Sequence, residues 1–115
     1  MTTYKIKRVY ETISNNDGKR ILVDRLWPRG VKKEQAQIDY WAKELAPTRE
    51  LISWFHEDKE NRYKEFASIY QNYLKNSKID SDKVITNNKL ISLVTAVKDI
   101  KHSHLPSLLK YLNKK

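Results

Sequence analysis

The sequence predicts an α/β domain: one small, mostly parallel sheet of about three strands, an N-terminal hairpin plus a buried late strand, covered by four to five helices. Three observations predict it. Ile21-Leu22-Val23 and the longer run from Leu90 to Val97 are aliphatic enough to be buried strands. Between them, apolar residues recur at three- and four-residue spacing, the helical period. A strand-helix-strand crossover over residues 19 to 97 then makes the second and third strands parallel. The 115 residues suit a single domain, 1–115, large enough to bury a core without staples.

Each element has a local reason. Tyr4 to Tyr10 alternates, with Tyr4, Ile6 and Arg8 on one side and Lys5, Lys7 and Val9 on the other, and its lysines suit an edge strand. Asn15-Asn16-Asp17-Gly18 is turn chemistry, and Asp-Gly favours an antiparallel hairpin into the strand Lys19 to Val23. Lys33 to Ala46 is expected to be a helix, from the spacing of Ile38, Trp41, Ala42 and Leu45, and Pro47 stops it. Thr48 caps the next helix, with Glu50 in its first turn and Leu51, Trp54 and Phe55 on its apolar side. Asp58 caps a third, striped by Tyr63, Phe66, Ala67, Tyr70, Tyr73 and Leu74. Residues 76 to 89 are polar and poorly patterned, with a loop at Ser77 to Asp82 and a turn at Asn87-Asn88. Ser103 caps a last helix with Pro106 in its first turn and Leu105, Leu108, Leu109 and Leu112 on its buried side.

Twenty-three Lys and Arg against 14 Asp and Glu give a formal charge of +9, which favours anionic partners. No cysteine is present, so disulfides, thiol nucleophiles and thiolate zinc sites are excluded. The N-terminus lacks the apolar run of a signal peptide, and no segment has the length of a transmembrane helix. A cytoplasmic protein without membrane contact is expected.

The chemistry-bearing stretch is Asp24-Arg25-Leu26-Trp27-Pro28-Arg29-Gly30, which leaves the second strand. Pro28 drives Trp27 toward extended backbone, so Arg25, Trp27 and Arg29 are expected to share a face. Guanidinium groups beside an indole suit a phosphate, a carboxylate or a planar ring. The same residues also suit a packed Trp27 with the arginines paired to Asp24, Asp39 or Glu44. Parallel strands bring their carboxyl ends to one edge of a sheet, where ligands of open α/β folds bind. Lys98, Asp99 and the start of the Ser103 helix belong to that edge as well, and a helix N-terminus attracts anions. Arg25, Trp27, Arg29, Lys98 and Ser103 are therefore the candidate ligand-binding residues. Asp24 and Asp99 are the candidate catalytic acids, as bases or as partners that orient the cations.

His102 and His104 form a His-x-His pair without an evident third ligand, so no metal and no other cofactor is expected. His56 suits a packing or surface position. A glycine-rich phosphate loop, a nucleophile elbow and a zinc finger are all missing from a chain with two glycines.

The sequence resembles the YeaO-like proteins, a bacterial domain-of-unknown-function family, over nearly its whole length. The resemblance rests on Arg8-Val9-Tyr10-Glu11, on Asp17-Gly18-Lys19-Arg20 leading into Val23 and the Asp24–Gly30 string, and on Ile38-Asp39-Tyr40-Trp41. It continues through Ala46-Pro47-Thr48, Glu50-Leu51, Trp54-Phe55, Arg62-Tyr63, Phe66 and Tyr70. It ends in Ala96-Val97-Lys98-Asp99, His102 and Leu109-Lys110-Tyr111-Leu112. It implies a small α/β cytoplasmic protein and brings no settled activity. Two positions depart from the family's pattern: His56-Glu57-Asp58 stands where Gly-His-Asp is usual, and Thr95 stands where an aromatic is usual.

Three functions compete. The first is a small-molecule protein binding a phosphate- or carboxylate-bearing ligand at the strand ends, with or without catalysis. The second is a nucleic-acid-associated basic protein, whose purely electrostatic binding would weaken steeply with salt. The third is a non-catalytic partner-binding module. Substrate, reaction and oligomeric state are not encoded in any of these patterns.

Overall fold

The computed structural model describes residues 2–77 and 89–114. The expected loop and turn at 78–88 lie outside the described residues. Four strands form one parallel sheet: β1 (Thr3–Arg8), β2 (Lys19–Leu22), β3 (Tyr40–Trp41) and β4 (Leu90–Thr95), in the order β1-β4-β2-β3. Among the described residues four α-helices accompany them: α1 (Lys33–Ala36), α2 (Arg49–His56), α3 (Lys59–Asn76) and α4 (Leu105–Asn113). Short 3-10 turns lie at Asn15–Asp17, Lys43–Leu45 and Ile100–His102.

The expected N-terminal hairpin does not form. β1 and β2 do not pair; β4 lies between them and pairs parallel with both. The Asp17-Gly18 dipeptide serves a different purpose. Asp17 closes a 3-10 turn through a reciprocal capping box with Ser14. Gly18 has φ 65°, and a Cβ there would sit 2.3 Å from the Leu90 carbonyl oxygen. It is glycine because the β4 backbone passes against it.

The expected helix over Lys33–Ala46 is also corrected. It stops at Ala36, and Gln37 takes the left-handed conformation, φ 48°. The Arg20 guanidinium donates from Nε and Nη2 to the Ala36 carbonyl, occupying the acceptor with which the helix ends. The Asp39 N–H then donates to the Arg20 carbonyl, and the Asp39 carboxylate accepts from the Arg20 N–H at 2.8 Å. These contacts align Tyr40–Trp41 beside β2 as the extra strand.

The sheet has two distinct faces. Tyr4, Ile6, Ile21, Val23, Ile91 and Leu93 meet Tyr70 and Leu74 of α3, Leu105, Leu108 and Leu112 of α4, and Ala42 and Leu45 in the main core. Phe66, Tyr70 and Leu74 recur at four-residue spacing on α3, and burying such side chains stabilises by roughly 1.5–3 kcal/mol each. The opposite face carries Val9, Leu22 and Val94, covered by Trp27, Val31, Ile38 and Trp41. β4 is thus covered on both faces, as its apolar run requires. Thr48 and Asp58 cap α2 and α3 as expected, accepting from the backbone N–H of Leu51 and Asn61.

The edge lysines of β1 are not simply solvated. Lys5, Ser92 and Arg20 lie in one row across three strands, and Lys7 lies two positions further along β1 on the same face. Lys7 Nζ and Arg20 Nη1 contact the two Asp17 carboxylate oxygens at 2.6 and 2.7 Å, with Lys5 at 3.4 Å. Burial alone would raise the Asp17 carboxyl. The hydrogen bonds from Lys7, the Ser14 N–H, Arg20 and Lys5 override it and hold Asp17 well below the usual carboxylate range. Among the described residues no helix is long and apolar enough to cross a membrane.

Candidate functional site

The carboxyl ends of β1, β2 and β4 meet at one edge, and the residues singled out there have unequal roles. Asp24 leaves β2 and turns onto β4. Its Oδ1 accepts from the Thr95 hydroxyl at 2.7 Å, and its Oδ2 accepts from the Ala96 N–H at 2.8 Å. Both oxygens are therefore engaged, and the side chain is only 14% exposed. His104, buried at the start of α4, places Nε2 2.9 Å from the Val23 carbonyl and 3.6 Å from Asp24 Oδ1. A carbonyl only accepts, so Nε2 carries the proton. Burial lowers the imidazole pKa, against the opposing pull of Asp24 and the Val23 carbonyl.

Arg25 and Trp27 have different surroundings. The Arg25 guanidinium donates to the Pro47 carbonyl at 3.1 Å and the Ala46 carbonyl at 2.9 Å, and reaches the Tyr73 hydroxyl at 3.5 Å. Those carbonyls lead into α2, so Arg25 fastens the strand exit to the helical layer. Trp27 instead donates to the Val31 carbonyl at 2.6 Å and meets Trp41 edge-on, with centroids 5.4 Å apart. Trp41 in turn donates to the Asp24 carbonyl at 2.8 Å. Ser103 is buried; its hydroxyl donates to the Ile100 carbonyl and accepts from the Leu105 N–H, closing the entry to α4.

Arg29 and Lys98 are both exposed. Among the described residues neither side chain has an ion-pair partner or a hydrogen bond. Their backbone segments are linked through Arg8, the last residue of β1, and Tyr10, which follows it. Tyr10 donates from its hydroxyl to the Arg29 carbonyl at 3.3 Å. The Arg8 guanidinium carbon lies 5.4 Å from the centre of the Tyr10 ring, and Arg8 Nε donates to the Val97 carbonyl beside Lys98. Glu11 folds back to accept from the Arg8 N–H at 2.6 Å. Arg8 and Tyr10 are the residues that sequence reasoning passed over. The alternation of β1 places Arg8 at its carboxyl end, but nothing local reveals that Tyr10 spans to Arg29.

Asp99 and His102 are joined, with Asp99 Oδ2 3.0 Å from His102 Nδ1, and both side chains are exposed. Their Asp-x-x-His spacing is the signal that could have found this pair. The Tyr63 ring meets His102 edge-on at 5.5 Å, and its hydroxyl donates to the Ser103 carbonyl at 3.1 Å. Burial, with Asp99 adding to it, pushes the Tyr63 phenol up. His102 and His104 thus occupy different environments, one exposed and one buried. No group of three or more His, Cys, Asp or Glu capable of holding a metal occurs among the described residues. His56 lies at the exposed end of α2, where partial burial of its ring, with Lys59 adding, lowers its pKa. A separate pocket of about 180 Å³ between α3 and α4, lined by Gln71, Lys75, Lys110, Tyr111 and Lys114, contains none of the candidate residues.

Similarity to other proteins gives this architecture a family. A family model described as "Inactive DUF488-N3 subclade" matches residues 3–115. The chain belongs to that family. An uncharacterised protein of Mycobacterium tuberculosis (strain H37Rv) is 39% identical over 113 residues, covering 97% of this chain and 95% of the relative. An uncharacterised protein of Mycobacterium bovis matches to the same extent. The uncharacterised protein YeaO of Escherichia coli (strain K12) is 46% identical over 68 residues, covering 59% of this chain and 56% of YeaO. The YeaO-like resemblance of the sequence and the DUF488-N3 assignment therefore agree. No solved structure matches this DUF488-N3 chain significantly.

Proposed function

We propose that this protein is a non-catalytic binding module that takes a phosphate- or carboxylate-bearing ligand at the carboxyl edge of its sheet. The observation that carries this reading is the pair of cations Arg29 and Lys98, without carboxylate partners among the described residues and joined through Arg8 and Tyr10. The groups expected to do chemistry are engaged within the chain. Asp24 uses both oxygens on Thr95 and Ala96, and Asp99 contacts His102 Nδ1 at 3.0 Å. In this reading Asp24, Arg25, Trp27 and Ser103 shape the edge, and Asp99 orients His102 beside the ligand. The description of the family as an inactive subclade points the same way.

Thermal melts in tripolyphosphate, compared with chloride at matched ionic strength, test the proposal. A ligand that binds only the folded state at about 100 times its Kd stabilises by about 2.7 kcal/mol. Wild type is expected to melt higher in tripolyphosphate. The Arg29→Ala/Lys98→Ala variant is expected to lose most of that rise while matching wild type in chloride. A variant that responds to tripolyphosphate as wild type does would sink the reading.

A further inference from the structure

We infer that the anionic ligand at this edge is a single-stranded nucleic acid, with one base stacked on Tyr10; this rests on the anion-binding reading proposed for the same edge. Tyr10 is 55% exposed, so a face of its ring is open to a partner. It is also held at two points. The Arg8 guanidinium lies 5.4 Å from the ring centre, and the phenol hydroxyl donates to the Arg29 carbonyl. A ring fixed in place before binding loses little freedom when a partner stacks on it.

The cations around the ring select the partner's chemistry. Arg8, Arg29 and Lys98 belong to three different segments, and the contacts through Tyr10 and Val97 gather them at one edge. The formal charge of +9 favours the approach of a polyanion. An exposed aromatic flanked by cations that track a backbone is the arrangement that binds single strands: phosphates meet the cations, and every base has a face to stack. A duplex hides those faces, so duplex binding would gain from the cations alone. Both DNA and RNA single strands present this chemistry.

Fluorescence anisotropy with labelled 12-nucleotide oligothymidylate, oligouridylate, a duplex and an abasic strand of equal length tests the inference. Tyr10→Ala is expected to weaken binding of the base-bearing strands roughly 5- to 150-fold. The abasic strand is expected to bind weakly and to ignore that substitution. Arg29→Ala/Lys98→Ala is expected to weaken every strand. It should also flatten the slope of log affinity against log salt by roughly 0.7 for each phosphate no longer neutralised. Comparing oligothymidylate with oligouridylate tells which sugar is preferred. Equal binding of oligothymidylate by wild type and Tyr10→Ala would overturn the stacking inference. So would abasic or duplex binding as tight as the single strand's. If only Tyr10→Ala is silent while the double variant no longer responds to tripolyphosphate, the anion-binding reading survives and the nucleic-acid inference falls. If the double variant also keeps its tripolyphosphate response, both fall. Melting of Tyr10→Ala at the wild-type temperature controls for folding.

Discussion

Replacing Asp17 by Asn is expected to destabilise this domain more than any surface substitution. The carboxylate is 1% exposed and faces three cations: Lys7 at 2.6 Å, Arg20 at 2.7 Å and Lys5 at 3.4 Å. Arg20 is 4% exposed and Lys7 is 11% exposed, so water cannot replace the missing partner. Each close contact is worth roughly 6 kcal/mol gross at an effective dielectric constant of about 20, and desolvation of the ions offsets much of that. Breaking one partner of such a set leaves the cations buried and uncompensated, at a net loss of roughly 3–5 kcal/mol. The exposed Lys5 is discounted in this figure. Typical domains have ~5–15 kcal/mol in total, so the variant sits near the edge of folding.

Urea unfolding followed by tryptophan fluorescence reads the loss directly. Adding Lys7→Met to Asp17→Asn removes one orphaned charge and should recover at least about 1 kcal/mol. Acid titration gives a second reading of the same group. Asp17 has a depressed carboxyl in the fold, so its contribution is complete above its unfolded value of about 3.9. It is lost as the pH falls below that value toward the folded one. Wild type should therefore lose stability steeply below about pH 4, and Asp17→Asn should lack that part of the decline. A variant within about 1 kcal/mol of wild type at neutral pH, with no recovery from Lys7→Met, would refute the reasoning.

Three further substitutions separate scaffold from surface. Gly18→Ala should cost well over about 1 kcal/mol in chemical denaturation, because its Cβ would meet the Leu90 carbonyl at φ 65°. Gly30→Ala has φ 77° but open space around it, so only the backbone strain of roughly 1–2 kcal/mol applies. Equal losses at the two glycines would contradict the close approach of β4 to Gly18. Arg25→Ala should lower stability in anion-free buffer by roughly 1.5–3 kcal/mol, since the Ala46 and Pro47 carbonyls lose charged donors. An Arg25→Ala melt indistinguishable from that of Arg29→Ala in chloride would show that these bonds hold nothing.

Much of this fold is legible in the sequence where the cause is local. Thr48 and Asp58 announce their helices because a cap acts within three residues, and Phe66, Tyr70 and Leu74 announce a buried face by spacing alone. The parallel relation of β2 and β4 follows from the intervening chain that must cross between them. The two corrected elements share a different cause. Ile38, Trp41, Ala42 and Leu45 fit a helical spacing, yet Ile38 and Trp41 cover one face of the sheet while Ala42 and Leu45 fill the other. No single helix face can serve both, so the chain breaks at Gln37 and passes along the sheet edge. Asp17-Gly18 has turn chemistry, and its partners are Lys7, Arg20 and the Leu90 backbone, which no local pattern names.

The strand-end edge divides along the same line. Arg25, Trp27 and Arg29 alternate along a short stretch, but what each one does depends on what the rest of the chain presents to it. Carbonyls ahead of α2 take Arg25, Trp41 and Val31 take Trp27, and Arg29 offers its own carbonyl to Tyr10 while its side chain faces solvent. Asp24 is decided by Thr95, 71 positions away. In the anion-binding reading proposed for this edge, that bond serves function as well as folding. It ties the exit of β2 to the exit of β4, and so holds the segment bearing Arg29 beside the segment bearing Lys98. Two cations carried by separate loops bind one anion well only if their separation is fixed before the anion arrives. In that reading the half-buried Asp24 carboxylate, bonded to Thr95 and Ala96, fixes it without itself meeting the ligand.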